Sequence, residues 1–197
     1  MTFKHWSAMA ALVLGLSGKA WAVEPTSFMF SPDSTVTYHV LHPMHHVVGV
    51  SHELRGEPRL TDGSKPELVL PLRLTIPIRS FDSGNRNRDR NMLQVMHVAR
   101  YPDAVLDIQS INWTSKRAEG GKTTAEGTAK GNLTLNGTTK PVDVQLSGFA
   151  EGDRLSVDAL FSFLLSDYSI ERPSLLFRPI DDQVKLEVKG IALRQKS

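Results

Sequence analysis

Five histidines, His39, His42, His45, His46 and His52, fall within fourteen residues of this 197-residue chain. Imidazole is the commonest neutral ligand for zinc or copper, and His39 could meet His45 or His46 across a turn. On an extended strand, however, His39 and His42 point to opposite faces, and a tetrahedral site needs three or four convergent ligands with supporting partners. The sequence therefore assigns no metal ligand. Other polar clusters carry little more chemistry. Arg86, Arg88 and Arg90 alternate with Asn87 and Asp89, which reads as a solvated face or an ion-pair knot. Asp181-Asp182 sits in a turn before the last strand, where a carboxylate pair is solvated. There is no cysteine, hence no thiol nucleophile and no disulfide. No Gly-x-Ser-x-Gly elbow, His-Glu-x-x-His helix or phosphate loop is present. No residue is assigned a catalytic role, and an enzyme is not expected.

The elements that would position these groups are strands. From Glu67 to Phe81, Leu68, Leu70, Leu72, Leu74, Ile76 and Ile78 occupy every second place, while Val69, Pro71, Arg73, Thr75, Pro77 and Arg79 fill the other face. Period two means a strand with one apolar face; an amphipathic helix needs spacings of three and four. The pattern recurs at Val36/Tyr38/Val40, Val142/Val144/Leu146, Leu155 to Leu165 and Val184/Leu186/Val188. Strands are expected near 34–42, 46–60, 67–79, 104–112 and 124–135. Asn136-Gly137 and Glu151-Gly152-Asp153 mark tight hairpins, and a hydrophilic tip is expected at Ser115 to Lys122. Pro71 and Pro77 suggest that the 67–79 strand is an edge or follows a bulged path, because proline cannot donate to a ladder. One helix is expected from Arg86 to Ala99, with Met92, Leu93, Met96 and Ala99 on one face and Tyr101-Pro102 as its stop. About eight antiparallel strands must dispose of their edges, which closure into a barrel achieves; a two-sheet sandwich competes.

Lys4 and His5, an apolar run from Met9 to Leu16 and Ala20-Trp21-Ala22 read as a secretory signal peptide, residues 1–22, cleaved before Val23. The run is shorter than the roughly 18 residues of a membrane span, so a protein located in the periplasm or secreted is expected, with no span in the mature chain. Removing Lys4 and Lys19 lowers the basic count from 23 to 21, against 21 acidic residues. A neutral mature chain lacks the basic face that nucleic acid demands. Without disulfides, residues 23–197 must be stabilised as one domain by core burial.

Four ordered stretches resemble a known family. They are Thr35-Val36-Thr37-Tyr38-His39-Val40-Leu41-His42 with Val48-Gly49 and Gly56; Ser80 to Asn85 with Arg88-Asp89 and Tyr101-Pro102; Gly131 to Val142; and Asp167-Tyr168-Ser169-Ile170 with Pro173-Ser174. Together they resemble the YceI-like family of secreted bacterial proteins. The resemblance implies an all-β, lipocalin-like antiparallel barrel of about eight strands with one helical insertion, whose elongated apolar cavity holds a polyisoprenoid, an isoprenoid quinone or a fatty-acid derivative. Where the family often carries phenylalanine after the hairpin glycine this chain has Val50, and where it often carries histidine after Arg-Asp it has Asn91.

Periodicity alone leaves a packed core and a cavity both open, since eight strands enclose room for side chains or for one small ligand. With the resemblance, the cavity is expected to be bordered by Tyr38, Val40, Leu70, Leu72, Leu74, Ile76, Met92, Met96, Phe161 and Phe163, methionines being adaptable to a lipid's shape. His42, which matches the family's histidine, is the expected contact to a polar head group, followed by Arg88 and Asp89, which a salt bridge at the helix start would equally explain. The expected partners are a long-chain isoprenoid or other lipid and, at most, a second copy of the chain in a homodimer; no cofactor is expected. The second reading is a periplasmic metal- or haem-associated accessory domain using the His39 to His52 cluster. A third is a packed barrel acting through its surface.

Overall fold

The computed structural model describes residues 24–61, 66–175 and 178–195. The expected leader and its cleavage point before Val23 lie outside the described residues. Twelve strands follow in chain order: β1 (Thr26–Phe30), β2 (Thr35–His42), β3 (His45–Ser51), β4 (Arg59–Leu60), β5 (Leu72–Pro77), β6 (Asp103–Glu119), β7 (Lys122–Leu135), β8 (Thr138–Glu151), β9 (Arg154–Leu164), β10 (Ser174–Leu175), β11 (Arg178–Pro179) and β12 (Gln183–Arg194). One helix, α1 (Arg86–Val95), lies between β5 and β6.

Eight strands form one antiparallel path, β3-β2-β12-β9-β8-β7-β6-β5. Consecutive strands are neighbours from β5 to β9, and tight turns join those from β6 to β9. Asn136 and Gly137 both adopt positive φ (47° and 75°), the geometry of a two-residue hairpin loop whose twist matches its strands. The same residues pair Leu135 with Thr138. Gly120-Gly121, both at positive φ, turn β6 into β7 in the same way, while at the β8–β9 turn Gly152 alone takes positive φ. β6 and β7 extend into the expected hydrophilic tip and narrow it to the Gly120-Gly121 turn. Register shifts between Ile108 and Ser110 and between Trp113 and Ser115 bend this long ribbon and strengthen its curl.

The path curls into a half-barrel, and its outer strands meet through isolated bridges. Val50 exchanges backbone hydrogen bonds with Asp82, both 2.9 Å, and Arg55 with Thr75 at 2.9 and 2.8 Å. The buried Ser51 hydroxyl lies 2.5 Å from that of Ser80, which donates to the Pro77 carbonyl. These contacts tie the end of β3 to the chain just after β5. Edge disposal is thus met by a curled half-barrel whose end strands are joined by a sparse seam of bridges.

Three expected elements are redrawn. The 67–79 strand is an edge, as its prolines suggest, but its ladder runs only from Leu72 to Pro77, with Leu68 held by a single bridge to Leu60 and a cis Leu70–Pro71 peptide before it. Proline's missing N–H interrupts the ladder there. The 46–60 strand stops at Ser51, whose hydroxyl accepts from the Glu53 N–H in a local turn. Helix α1 ends at Val95 because His97 takes a left-handed conformation, φ 47°. That reversal turns Val98 inward, 3% exposed, and leaves Ala99 on the surface.

Inward faces merge into one core around Val40, Leu106, Ile108, Leu133, Leu135, Val144, Phe161, Tyr168 and Val184. A smaller cluster of Val36, Leu54 and Val188 adjoins it.

Candidate functional site

Helix α1 crosses the end of the barrel where β2 ends and the β7–β8 turn lies. Its start is set by sequence: Asn85 caps it, its side-chain oxygen accepting from the N–H groups of Asn87 and Arg88 at 3.0 and 3.2 Å, as N-caps do. Its far end is latched. His97 Nδ1 meets the Asn136 Oδ1 at 2.9 Å, and Asn136 Nδ2 donates to the carbonyls of Tyr168 (3.0 Å) and Ser169 (3.3 Å). His97, Asn136 and Ser169 are the non-glycine residues with positive φ among the described residues, so one junction holds helix, hairpin turn and the segment after β9 together.

Beneath the helix lies a cavity of about 450 Å³, within the range of small-molecule sites. Its lining is overwhelmingly apolar. Ten of the residues expected there border it: Tyr38, Val40, His42, Leu74, Ile76, Arg88, Met92, Met96, Phe161 and Phe163. Leu70, Leu72 and Asp89 do not. Leu70 and Leu72 pack against the core, and Leu72 stands opposite Ile108 in the ladder. The shared leucine face therefore splits, Leu74 and Ile76 reaching the cavity while the half-buried Leu70 and Leu72 pack beside the core without reaching it. Sequence reasoning missed Leu54, Val95, Leu133, Leu135 and Ile180, which also line the space; Val95 follows from helical spacing with Arg88 and Met92 once the helix's inner face is known.

Tyr38 is placed by its neighbour. It pairs with Gly49 across the β2–β3 ladder, and a Cβ on Gly49 would lie 2.3 Å from the tyrosine ring. The ring folds flat over the missing side chain and meets Phe81 edge-on, centroids 5.3 Å apart. Burial pushes the Tyr38 hydroxyl above its ordinary pKa; Asp89 adds to this, while Arg88 and a Ser83 hydrogen bond act the other way. Ser83 is the hub of this corner. It accepts from Arg88 Nε at 2.8 Å, its carbonyl takes Arg88 Nη2, and its hydroxyl donates to Asp89 Oδ1. Arg88 and Asp89 are thus joined through Ser83 in place of the direct salt bridge expected, and they fix the helix start.

His42 is 6% exposed and borders the cavity. Its Nδ1 accepts from the Met44 N–H and its Nε2 lies against the Arg178 carbonyl, both 3.2 Å, a pattern that fits the Nε2–H tautomer. Both ring nitrogens are hydrogen-bonded to backbone, while the ring itself borders the cavity. His42 packs on His45, centroids 4.8 Å apart, whereas His39 stacks on His46 and lies 3.7 Å from Glu187 on the other face. The histidine cluster is split between faces, and among the described residues no group of three ligating side chains converges. Asp182 caps the turn after β9, accepting from the Ser166 hydroxyl and N–H at 2.6 and 2.9 Å, which holds its pKa low. Among the described residues no helix is long and apolar enough to cross a membrane.

The model of a family described as YceI-like domain matches residues 28–192. A UPF0312 protein of Ectopseudomonas mendocina is 26% identical over 96% of this chain and 98% of its own. A protein YceI of Salmonella arizonae is 29% identical over 62% of each chain. Among solved structures, a polyisoprenoid binding domain from Saccharophagus degradans superposes with a TM-score of 0.67 at 14% identity, covering 87% of this chain and all of that one. BcnA of Burkholderia cenocepacia gives 0.61 at 18%, covering 80% and 95%. At those identities the superpositions speak for the fold.

Proposed function

The chain belongs to the YceI-like domain family, and from that premise we propose that it is a non-catalytic carrier or sequestering protein for a long-chain amphiphile, of the isoprenoid class, outside the cytoplasm. The observation that carries this reading is the apolar cavity of about 450 Å³ between sheet and helix. The similar domain from Saccharophagus degradans is described as binding polyisoprenoids, which supports an isoprenoid as ligand. Each buried CH2 contributes about 0.8 kcal/mol, so a hydrocarbon of many carbons outweighs the ordering cost of a flexible lipid, and no catalytic group is needed. In this reading residues 1–22 direct export and residues 23–197 form the binding domain. Tyr38, Val40, Leu74, Ile76, Met92, Met96, Phe161 and Phe163 touch the hydrocarbon.

Native mass spectrometry of protein purified from its own host, followed by solvent extraction, is expected to release a bound apolar molecule. Phe163→Trp, which enlarges a ring at the cavity wall, is expected to weaken lipid binding roughly tenfold, about one or two lost methylene contacts, with the melting temperature largely kept. An empty native spectrum together with unchanged affinity in Phe163→Trp overturns the proposal.

A further inference from the structure

The polar lining of the cavity falls into two groups. One is His42, His45, Glu171 and Ser174; the other lies on and beside α1 and comprises Asn85, Asn87, Arg88 and Asn91. Most of these groups are already engaged. His42 has spent both nitrogens, Asn85 caps the helix, and Arg88 donates to the Ser83 hydroxyl, which itself donates to Asp89. Asn87 and Asn91 are both exposed, at the rim of the cavity, and their side chains make no hydrogen bond or ion pair with any described residue, which leaves them free to meet water or a bound molecule. They stand one helical turn apart, at i and i+4, where side chains are neighbours on the helix surface. Asparagine is a poor helix former, so local propensity does not favour two of them in a ten-residue helix.

A carboxamide donates and accepts but carries no charge. Two of them side by side suit an oxygen-bearing head group that is itself uncharged. The Glu171 carboxylate on the lining opposes an anion, and the lining arginine, Arg88, already donates to the Ser83 hydroxyl and carbonyl. Resting on the lipid reading above, we infer that Asn87 and Asn91 form the head-group subsite of the cavity and select a neutral carbonyl- or hydroxyl-bearing head over a phosphate or carboxylate.

The test compares four ligands of one isoprenoid chain length: a quinone, an alcohol, a hydrocarbon without oxygen, and a monophosphate. Affinities are measured for wild type, for Asn87→Ala/Asn91→Ala and for Asn87→Leu/Asn91→Leu. Wild type is expected to bind quinone and alcohol more tightly than hydrocarbon or phosphate. Both double variants are expected to lose about tenfold for the quinone, the worth of one or two hydrogen bonds, and to bind the hydrocarbon as well as wild type or better. Circular dichroism checks the helix, which alanine favours. Equal losses for quinone and hydrocarbon, no loss for either, or a wild-type preference for the phosphate overturns the subsite. Wild type binding none of the four overturns the lipid reading itself, a result distinct from those three.

Discussion

At the scale of single residues, Tyr168 carries a debt that the sequence hides. It is 1% exposed, its ring meets Phe163 edge-on, and its hydroxyl has no hydrogen-bond partner among the described residues. A buried unsatisfied hydroxyl costs about 1–3 kcal/mol. Tyr168→Phe keeps the ring and is expected to stabilise the protein by roughly 1 kcal/mol in urea unfolding. Burial also pushes its pKa up to about 12, with Asp167 adding to the shift. Because the folded-state pKa lies above the ordinary 10, the unfolded chain loses the proton first. Stability is therefore intact below pH 10 and falls as pH rises from 10 toward 12. The decline is expected to be shallower in Tyr168→Phe, and identical alkaline slopes would refute the assignment. Gly49 is the complementary case, legible as a glycine in a strand but explained only by the ring of Tyr38 lying where its Cβ would be.

Among elements, α1 borders the cavity and is pinned at both ends, which makes it the expected gate. The helix is fixed at its start by Asn85 and Ser83 and at its end by the His97–Asn136–Ser169 junction, so the junction's strength should set how often the helix lifts. Asn136→Gly preserves the positive φ of the hairpin turn while deleting the side chain that joins His97 to Tyr168 and Ser169. It is expected to speed release of a bound lipophilic dye several-fold, each lost hydrogen bond being worth about 0.5–1.5 kcal/mol, with the hairpin intact. Asn136→Ala removes the same bonds and adds a left-handed alanine, at roughly 1–2 kcal/mol, so its melting temperature should fall further. Stopped-flow dye release that is unchanged in Asn136→Gly would show that the helix is not the gate.

For the whole molecule, the finite cavity sets a measurable limit. Affinity across an isoprenoid series should rise steeply with each five-carbon unit, as about 0.8 kcal/mol per buried CH2 implies, and then level off once the 450 Å³ are filled. Isothermal titration of ligands differing only in chain length checks this, and a flat series would leave the polar rim, not the cavity, as the source of binding.

How much of this was legible in the chain follows from the range of the interactions involved. Period-two alternation, Asn136-Gly137, the Asn85 cap and the edge-strand prolines are local signals, and they determined the strands, the hairpins, the helix start and the all-β class, because each acts between residues a few positions apart. The ordered motifs added the family and, with it, the expectation of a cavity. Which half of the leucine face borders that cavity was decided by the tertiary structure alone. Leu72 and Leu74 share a face and a chemistry, yet one stands against Ile108 beside the core and the other at the cavity. His42 likewise carries the same imidazole as its neighbours, and only the approach of Arg178, 136 positions away, takes up its Nε2. Periodicity specifies which way a side chain points; what it meets there depends on long-range closure of the sheet, which no local pattern encodes.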